Sequence, residues 1–290
     1  MKTRAEMAPS GAYMDLHRNI CGNRYNKQYM PDLGRYGSCY MDMMELSEFF
    51  ESCGRIAIAF SGGVDSAYLL AEAVRCGADV RAYYVKSQFQ PEFERQDARR
   101  LAKALGAELR EIELDVLSDE TVVSNPADRC YHCKRRIMGA IIRAAEADGC
   151  EVLCDGTNHS DDVSDRPGFR ALGELGIRSP LRECGITKDE VRKRAKELGL
   201  DVWDKPAYAC LATRISAGER ITADKLRTTE EAEGILHAMG FRDFRVRMRG
   251  GDALVQIEAS QHDDAVKRSD EIRKALESLY GDVRIDPEPR

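Results

Sequence analysis

Two groups of residues in this chain have the types and spacing for chemistry. The first is Ser61-Gly62-Gly63-Val64-Asp65-Ser66. Its glycines let the backbone approach an anion closely, and the Ser61 and Ser66 hydroxyls add donors. Asp65 adds a carboxylate able to orient phosphate or hold Mg²⁺. The second group is made of thiols. Cys130 and Cys133 form a Cys-x-x-Cys inside Arg129-Cys130-Tyr131-His132-Cys133-Lys134. That spacing suits a redox pair, half of a zinc site or part of an iron–sulfur site. The sequence holds no second Cys-x-x-Cys, so a Cys₄ zinc ribbon cannot be built locally. A third ligand has to come from far along the chain, and the candidate is Cys210, in the loop-forming stretch Trp203 to Arg214. Lys205 and Arg214 are nearby cations expected to lower its pKa. Taken alone, Cys210 reads equally as a buried structural cysteine.

The phosphate-type turn needs elements on both sides. Ile56 to Phe60 is a short apolar run rich in strand formers, and Ala67 to Val74 reads as a helix. A strand, a Gly-rich turn and a helix present free N–H groups and a positive dipole end to an anion. The Lys of a Walker loop and the GxGxxG spacing are both missing. An ordinary turn with Ser and Gly as turn formers is the bland alternative. Six specified residues in the right slot argue against it.

Further strands are expected at 80–85, 109–114 and 151–155. Helices are expected at 45–53, 92–105, 135–147 and 187–198, the last opened by Thr187 and Glu190 in capping-box spacing. Cys130 and Cys133 fall on the loop before the helix at 135–147. This alternation means an α/β fold, a parallel sheet flanked by helices with its ligand site at the carboxyl ends of the strands. Asp155-Gly156-Thr157-Asn158 closes the fourth strand there, followed by Asp161-Asp162 and Asp165-Arg166.

Beyond residue 216 the rhythm changes. A helix at 222–239, a strand pair at 244–248 and 253–258 across Arg249-Gly250-Gly251-Asp252, a helix at 261–279 and a strand at 283–285 make a small C-terminal α+β domain. Arg245 and Arg247 share one strand face, where two guanidiniums suit a phosphate or dicarboxylate. On a bare edge strand they would be solvated, and Glu233 reads as a surface charge. The expected division is an N-terminal extension of poor order at 1–40, a main domain at 41–216 and a small domain at 217–290. Met41-Asp42-Met43-Met44 marks where the folded part begins.

The chain has 290 residues, 43% hydrophobic and 32% charged, which is the balance of a soluble globular protein. No apolar run reaches the ~20 residues that span a bilayer, and Met1-Lys2-Thr3-Arg4 leads into polar sequence without a signal-peptide core. The expectation is therefore cytoplasmic, without a membrane partner. A net charge of −6 counts against a mainly nucleic-acid-binding surface. Ten cysteines without a secretory signal imply thiols rather than a disulfide framework. Cys53, Cys76, Cys150, Cys154 and Cys184 read as small hydrophobes, and Cys21 and Cys39 lie in the extension.

SGGVDS resembles the PP-loop of ATP pyrophosphatases, which split ATP between the α and β phosphates. The full series SGGVDS, NPADRCYHCK, DGTNHSDD, DRPGFRALGELGIRSPL and WDKPAYACLATRI resembles the LarE family over roughly residues 44–290. Those are ATP-dependent sacrificial sulfur transferases of nickel-pincer nucleotide synthesis. The resemblance implies adenylation of pyridinium-3,5-biscarboxylic acid mononucleotide with release of pyrophosphate, then displacement of AMP by sulfur. It implies ATP and Mg²⁺ at Ser61, Gly62, Gly63, Asp65 and Ser66. Arg214 is implied at phosphate or acyl-adenylate, and Glu233, Arg245 and Arg247 near substrate. In one branch a cysteine matching Cys210 gives up its own sulfur. In the other, three cysteines hold a 4Fe-4S cluster, and the presence of Cys130, Cys133 and Cys210 favours that branch. A homo-oligomer is also implied, since members of the family are often hexamers. The rivals are a tRNA thiolation enzyme, an amidotransferase-type synthetase, a non-catalytic nucleotide sensor and a single-use cysteine donor. The source of sulfide is left open.

Overall fold

The computed structural model describes residues 45–162 and 167–290. The extension at 1–40, Cys21, Cys39, the Met41–Met44 start and Asp165-Arg166 lie outside the described residues. Four strands form a parallel sheet: β1 (Ile56–Ala59), β2 (Val80–Lys86), β3 (Glu108–Glu113) and β4 (Val152–Cys154). Their order is β3-β2-β1-β4, with Ile58 opposite both Ala82 and Cys154. The helices before and within this half are α1 (Leu46–Glu51), α2 (Val64–Arg75), α3 (Glu92–Ala104), α4 (Glu120–Val123) and α5 (Arg129–Ala147). After β4 come α6 (Pro167–Glu174), α7 (Pro180–Glu183) and α8 (Lys188–Glu197).

Alternate strand residues point to opposite faces, and both faces are covered. Ile56, Ile58 and Tyr84 join α2, α3 and α8 in one apolar cluster. Ala57, Tyr83, Val85 and Leu153 join Met138 and Ile141 of α5 in the other. Both faces are apolar because a parallel sheet has no wet side.

A 3₁₀ turn (η1, Leu211–Arg214) leads to α9 (Ala223–Ala238) and a second sheet. That sheet holds β5 (Phe244–Arg249), β6 (Asp252–Ile257) and β7 (Val283–Ile285), in the order β5-β6-β7. The hairpin pairs Arg249 with Asp252, with Gly250 at φ 63° in the turn. Its inner face packs with Ala232 and Leu236 of α9 in a cluster of its own.

Two expectations change. The helix expected at 261–279 is two helices, α10 (Ala259–Lys267) and α11 (Ser269–Leu276), broken at Arg268. The helix expected from residue 135 begins at Arg129, so Cys130 and Cys133 lie on α5 and not on a loop before it. Asn125, at φ 56°, turns the chain, and Asp128 stands at the N-cap position of the earlier start, its carboxylate 3.2 Å from His132 Nε2. Among the described residues no helix is long and apolar enough to cross a membrane.

Candidate active site at the carboxyl end of the parallel sheet

The chain lays down β1, β2 and β3 to one side and then crosses to β4 on the other. That reversal opens a crevice between the ends of β1 and β4, where open α/β sheets bind ligands. Ser61 to Ser66 leaves β1 and forms the start of α2, with Gly63 as its N-cap. The turn is closed by short bonds: Gly63 N–H donates to Ser61 Oγ at 3.3 Å, and Ser66 Oγ donates to the Gly63 carbonyl at 3.2 Å. Gly62 sits at φ +73°, and a Cβ there would lie 3.2 Å from the backbone N of Ala98 on α3. The turn is thus pressed against α3, and both constraints call for glycine.

The end of β4 closes the other side. A Cβ on Gly156 would come within 2.8 Å of the Ser66 backbone N, so the Asp155-Gly156-Thr157-Asn158 turn touches the start of α2. Asn158 Nδ2 donates to Asp65 Oδ1 at 3.2 Å, and Lys188 Nζ donates to Oδ2 at 2.5 Å. Lys188 is a residue that sequence reasoning missed. It is the first residue of α8, where a cation opposes the helix dipole. That misplacement was the available signal.

A cavity of about 440 Å³ opens over this turn. One side is Ser61, Gly63, Asp65 and Ser66; an apolar side is Ile137, Met138 and Phe169; the third is Glu94, Tyr208 and Cys210. Lys134 also lines it, with no ion pair or hydrogen bond among the described residues. The arrangement offers a phosphate cradle, a flat apolar slot and a sulfur atom in one space.

The thiols converge beside it. Arg129 Nη1 donates to the Ala212 carbonyl at 3.0 Å, tying the start of α5 to η1. Cys133 is buried, Cys210 half-buried and Cys130 exposed. Cys133 and Cys210 join one apolar cluster with Phe89 and Leu211. Burial raises the Cys133 thiol to about 12, and Cys210 and Cys130 push it the same way, so the three thiols are within electrostatic reach. Cys210 is also raised. Burial outweighs the pull of Arg129 and Arg214, which corrects the expectation of a lowered pKa. Lys205 donates instead to Asp97 at 2.7 Å.

Among the described residues, no three His, Cys, Asp or Glu side chains stand close enough to hold a single metal ion. A cubane binds its thiolates at separate irons, so its ligands stand further apart than those of one ion. Three soft thiol ligands within electrostatic reach of one another, with the Arg129 and Arg214 guanidiniums beside Cys210, have the donor chemistry that such an anionic cluster takes. The raised pKa values mean that binding must displace protons.

Of the remaining expected site residues, Arg214 and Glu233 face each other rather than solvent. Arg214 is fully buried, with Nε 2.7 Å from Glu233 Oε1 and Nη2 3.0 Å from Oε2. Glu233 also accepts from Tyr208 Oη at 2.6 Å and from Val246 N–H at 3.0 Å, so it is no surface charge. Arg245 is buried and Arg247 half-buried, and neither is left to solvent alone. Arg245 Nη2 donates to the Ala207 carbonyl at 2.5 Å, and Arg247 Nη1 to the Thr213 carbonyl at 2.9 Å. Burial lowers Arg245 to about 10. Both arginines clamp the segment carrying Cys210 to β5. Arg245 and Glu233 also border a second cavity of about 1170 Å³. Lys205, Pro206, Ala207 and Tyr208 wall both cavities.

Comparison with known proteins places this geometry. The Asparagine synthase family matches residues 51–134, the stretch with the phosphate turn and the Cys-x-x-Cys. An uncharacterized Synechocystis protein is 37% identical over 74% of this chain and 81% of its own length. The tRNA-specific 2-thiouridylase MnmA of Thermobifida fusca is 30% identical over 52% of this chain and 51% of its own. The pyridinium-3,5-bisthiocarboxylic acid mononucleotide synthase of Lactiplantibacillus plantarum is 33% identical over 78% of this chain and 82% of its own. With that identity and coverage added to the phosphate turn and its cavity, the chain belongs to the LarE family of ATP-dependent PP-loop sulfur transferases.

Proposed function

We propose that the chain uses ATP to adenylate the carboxylates of pyridinium-3,5-biscarboxylic acid mononucleotide and replaces the activated oxygen with sulfur, in nickel-pincer nucleotide biosynthesis. The observation that carries this reading is that the phosphate turn and Cys210 line one cavity. A carboxylate resists nucleophiles until its oxygen becomes a leaving group, so activation and sulfur delivery have to share a space. The Lactiplantibacillus relative is a synthase of pyridinium-3,5-bisthiocarboxylic acid mononucleotide, which supports the choice of substrate. The Thermobifida match covers about half of each chain, and a net charge of −6 suits a tRNA substrate poorly.

In this reading Ser61, Gly62, Gly63 and Ser66 hold the triphosphate with backbone N–H groups and hydroxyls. Asp65 holds Mg²⁺, and Lys188 and Lys134 balance phosphate charge. Ile137, Met138 and Phe169 take the adenine face. The anionic groups of the mononucleotide meet Arg245 beside Glu233 in the larger cavity. Cys130, Cys133 and Cys210 would hold a 4Fe-4S cluster. Bound there, the cluster would supply an iron without a protein ligand, able to accept sulfide. Arg214 and Arg247 fix the Cys210 segment against β5.

The test supplies ATP, Mg²⁺ and the mononucleotide and follows pyrophosphate and AMP. Wild-type protein should release both only when the mononucleotide is present. Asp65→Ala should lower the rate about a hundredfold or more, the usual scale for losing a preorganised charged group. Wild-type rates in that variant, or release triggered by tRNA instead, would overturn the reading.

A further inference from the structure

Three carboxylates line the smaller cavity, and two are already engaged. Asp65 is held by Lys188 and Asn158, and Asp155 accepts from Thr157 Oγ1 at 2.6 Å and Ser179 Oγ at 2.7 Å. The third is Glu94, in the first turn of α3. It is half-buried and makes no hydrogen bond or ion pair among the described residues. Next to it on β2 is Tyr84, which lines the same cavity and whose buried hydroxyl has no hydrogen-bond partner. A half-buried carboxylate without a protein partner and a buried hydroxyl without one therefore line the same cavity. An unpaired buried hydroxyl costs stability, which marks this wall as a candidate for a functional contact.

Adenylation needs no base, because the attacking group is already a carboxylate. Sulfur transfer does. A sulfur nucleophile, whether a thiol or hydrosulfide, carries an S–H that must be lost.

The geometry points to Glu94 as the proton acceptor of the sulfur-transfer step, directly or through one water held with Tyr84. This rests on the adenylating function proposed above. In the step, sulfur forms a bond to the acyl carbon and the bond from that carbon to the phosphate oxygen breaks. AMP leaves with the electron pair, and the S–H proton ends on Glu94.

The surroundings suit the task. Burial raises the Glu94 carboxyl to about 7, against the opposing pull of Lys205, Arg214 and Lys86, with Asp97 adding to the rise. Glu92, Arg95 and Glu111 stand around Tyr84, Glu233 stands beside Tyr208, and Asp65, Asp155, Lys134, Lys188 and Cys210 line the same cavity. A base titrating near neutrality is well matched to proton transfer at cellular pH.

The experiment separates the two half-reactions on the full chain. Mononucleotide-dependent exchange of pyrophosphate into ATP reads adenylation, and thiocarboxylate formation with added sulfide reads transfer. At a fixed concentration of hydrosulfide anion, so that the titration of the nucleophile itself drops out, wild-type transfer should rise with pH through about 7, because the acceptor must be deprotonated. In Glu94→Gln, transfer should fall at least tenfold more than exchange, and the limb near 7 should vanish. Glu94→Asp should recover part of the rate and keep the limb. Folding is not in question: Gln removes a buried charge whose ionisation opposes the fold above pH 7, so the variant should melt no lower than wild type at pH 8. Equal losses in both half-reactions, or a wild-type limb surviving in Glu94→Gln, would overturn the proposal. Loss of exchange in the wild type itself would overturn the function on which it rests.

Discussion

A guanidinium removed from water is costly unless its donors are used, and Arg214 spends them on Glu233, Ala209, Cys210 and Thr213. Tyr208 lies under it, the ring 4.6 Å from Cζ. Breaking a buried pair by removing one partner typically costs about 3–5 kcal/mol. Glu233→Ala should therefore lower stability by that order in a urea melt, and the Arg214→Ala, Glu233→Ala double variant by less than the sum. Additive losses would mean that the two side chains act independently. A local reading of residues 210–214 could flag Arg214 as near the chemistry. It could not show that its charge is met by Glu233, because that partner lies 19 residues further on, on α9. The same holds for Arg245 and Arg247: their alternation on a strand was legible, their carbonyl partners in the Ala207–Thr213 segment were not.

Helix ends decide how the elements meet the site. The Thr187 and Glu190 capping box was legible as four letters, and it forms. What it positions was not: the next residue, Lys188, is the cation on Asp65. Loss of a Thr cap costs about 1 kcal/mol. Thr187→Ala should lower stability by that amount and weaken nucleotide binding by calorimetry, since the frayed turn carries Lys188. Unchanged nucleotide affinity with the expected stability loss would uncouple the cap from the site. Strands and long helices were readable from periodicity. The short pieces, α4, α7 and η1, were not, because single turns take their shape from neighbours. The break at Arg268 contains no Gly or Pro. Its guanidinium lies over the Phe241 ring at 5.1 Å and donates to the Met239 carbonyl at 3.2 Å, so packing against the end of α9 sets the bend.

At the scale of the molecule, α5 and the start of η1 bring three thiols into electrostatic reach from two separate stretches of the sequence. In the cluster reading, Cys130→Ala, Cys133→Ala and Cys210→Ala each lose iron and transfer activity. Native mass spectrometry of anaerobic protein should show the added mass of iron and sulfide on a homo-oligomer, and wild type should turn over repeatedly with added sulfide. A monomer would remove the assembly from the reading. An active Cys130→Ala whose polypeptide becomes lighter by H₂S, with dehydroalanine at position 210, would instead make Cys210 a single-use donor.

The register of β4 against β1 has a consequence for how the protein comes into being. The phosphate turn is made early in synthesis. The Gly156 turn that presses on Ser66 belongs to a strand completed only after α5 has emerged. Until β4 docks, the turn has α3 on one flank and nothing on the other. Pairings between distant parts of a chain form late, because loop closure must precede their reward. On this order of events a nascent chain should bind nucleotide weakly until β4 has docked and the sheet is finished.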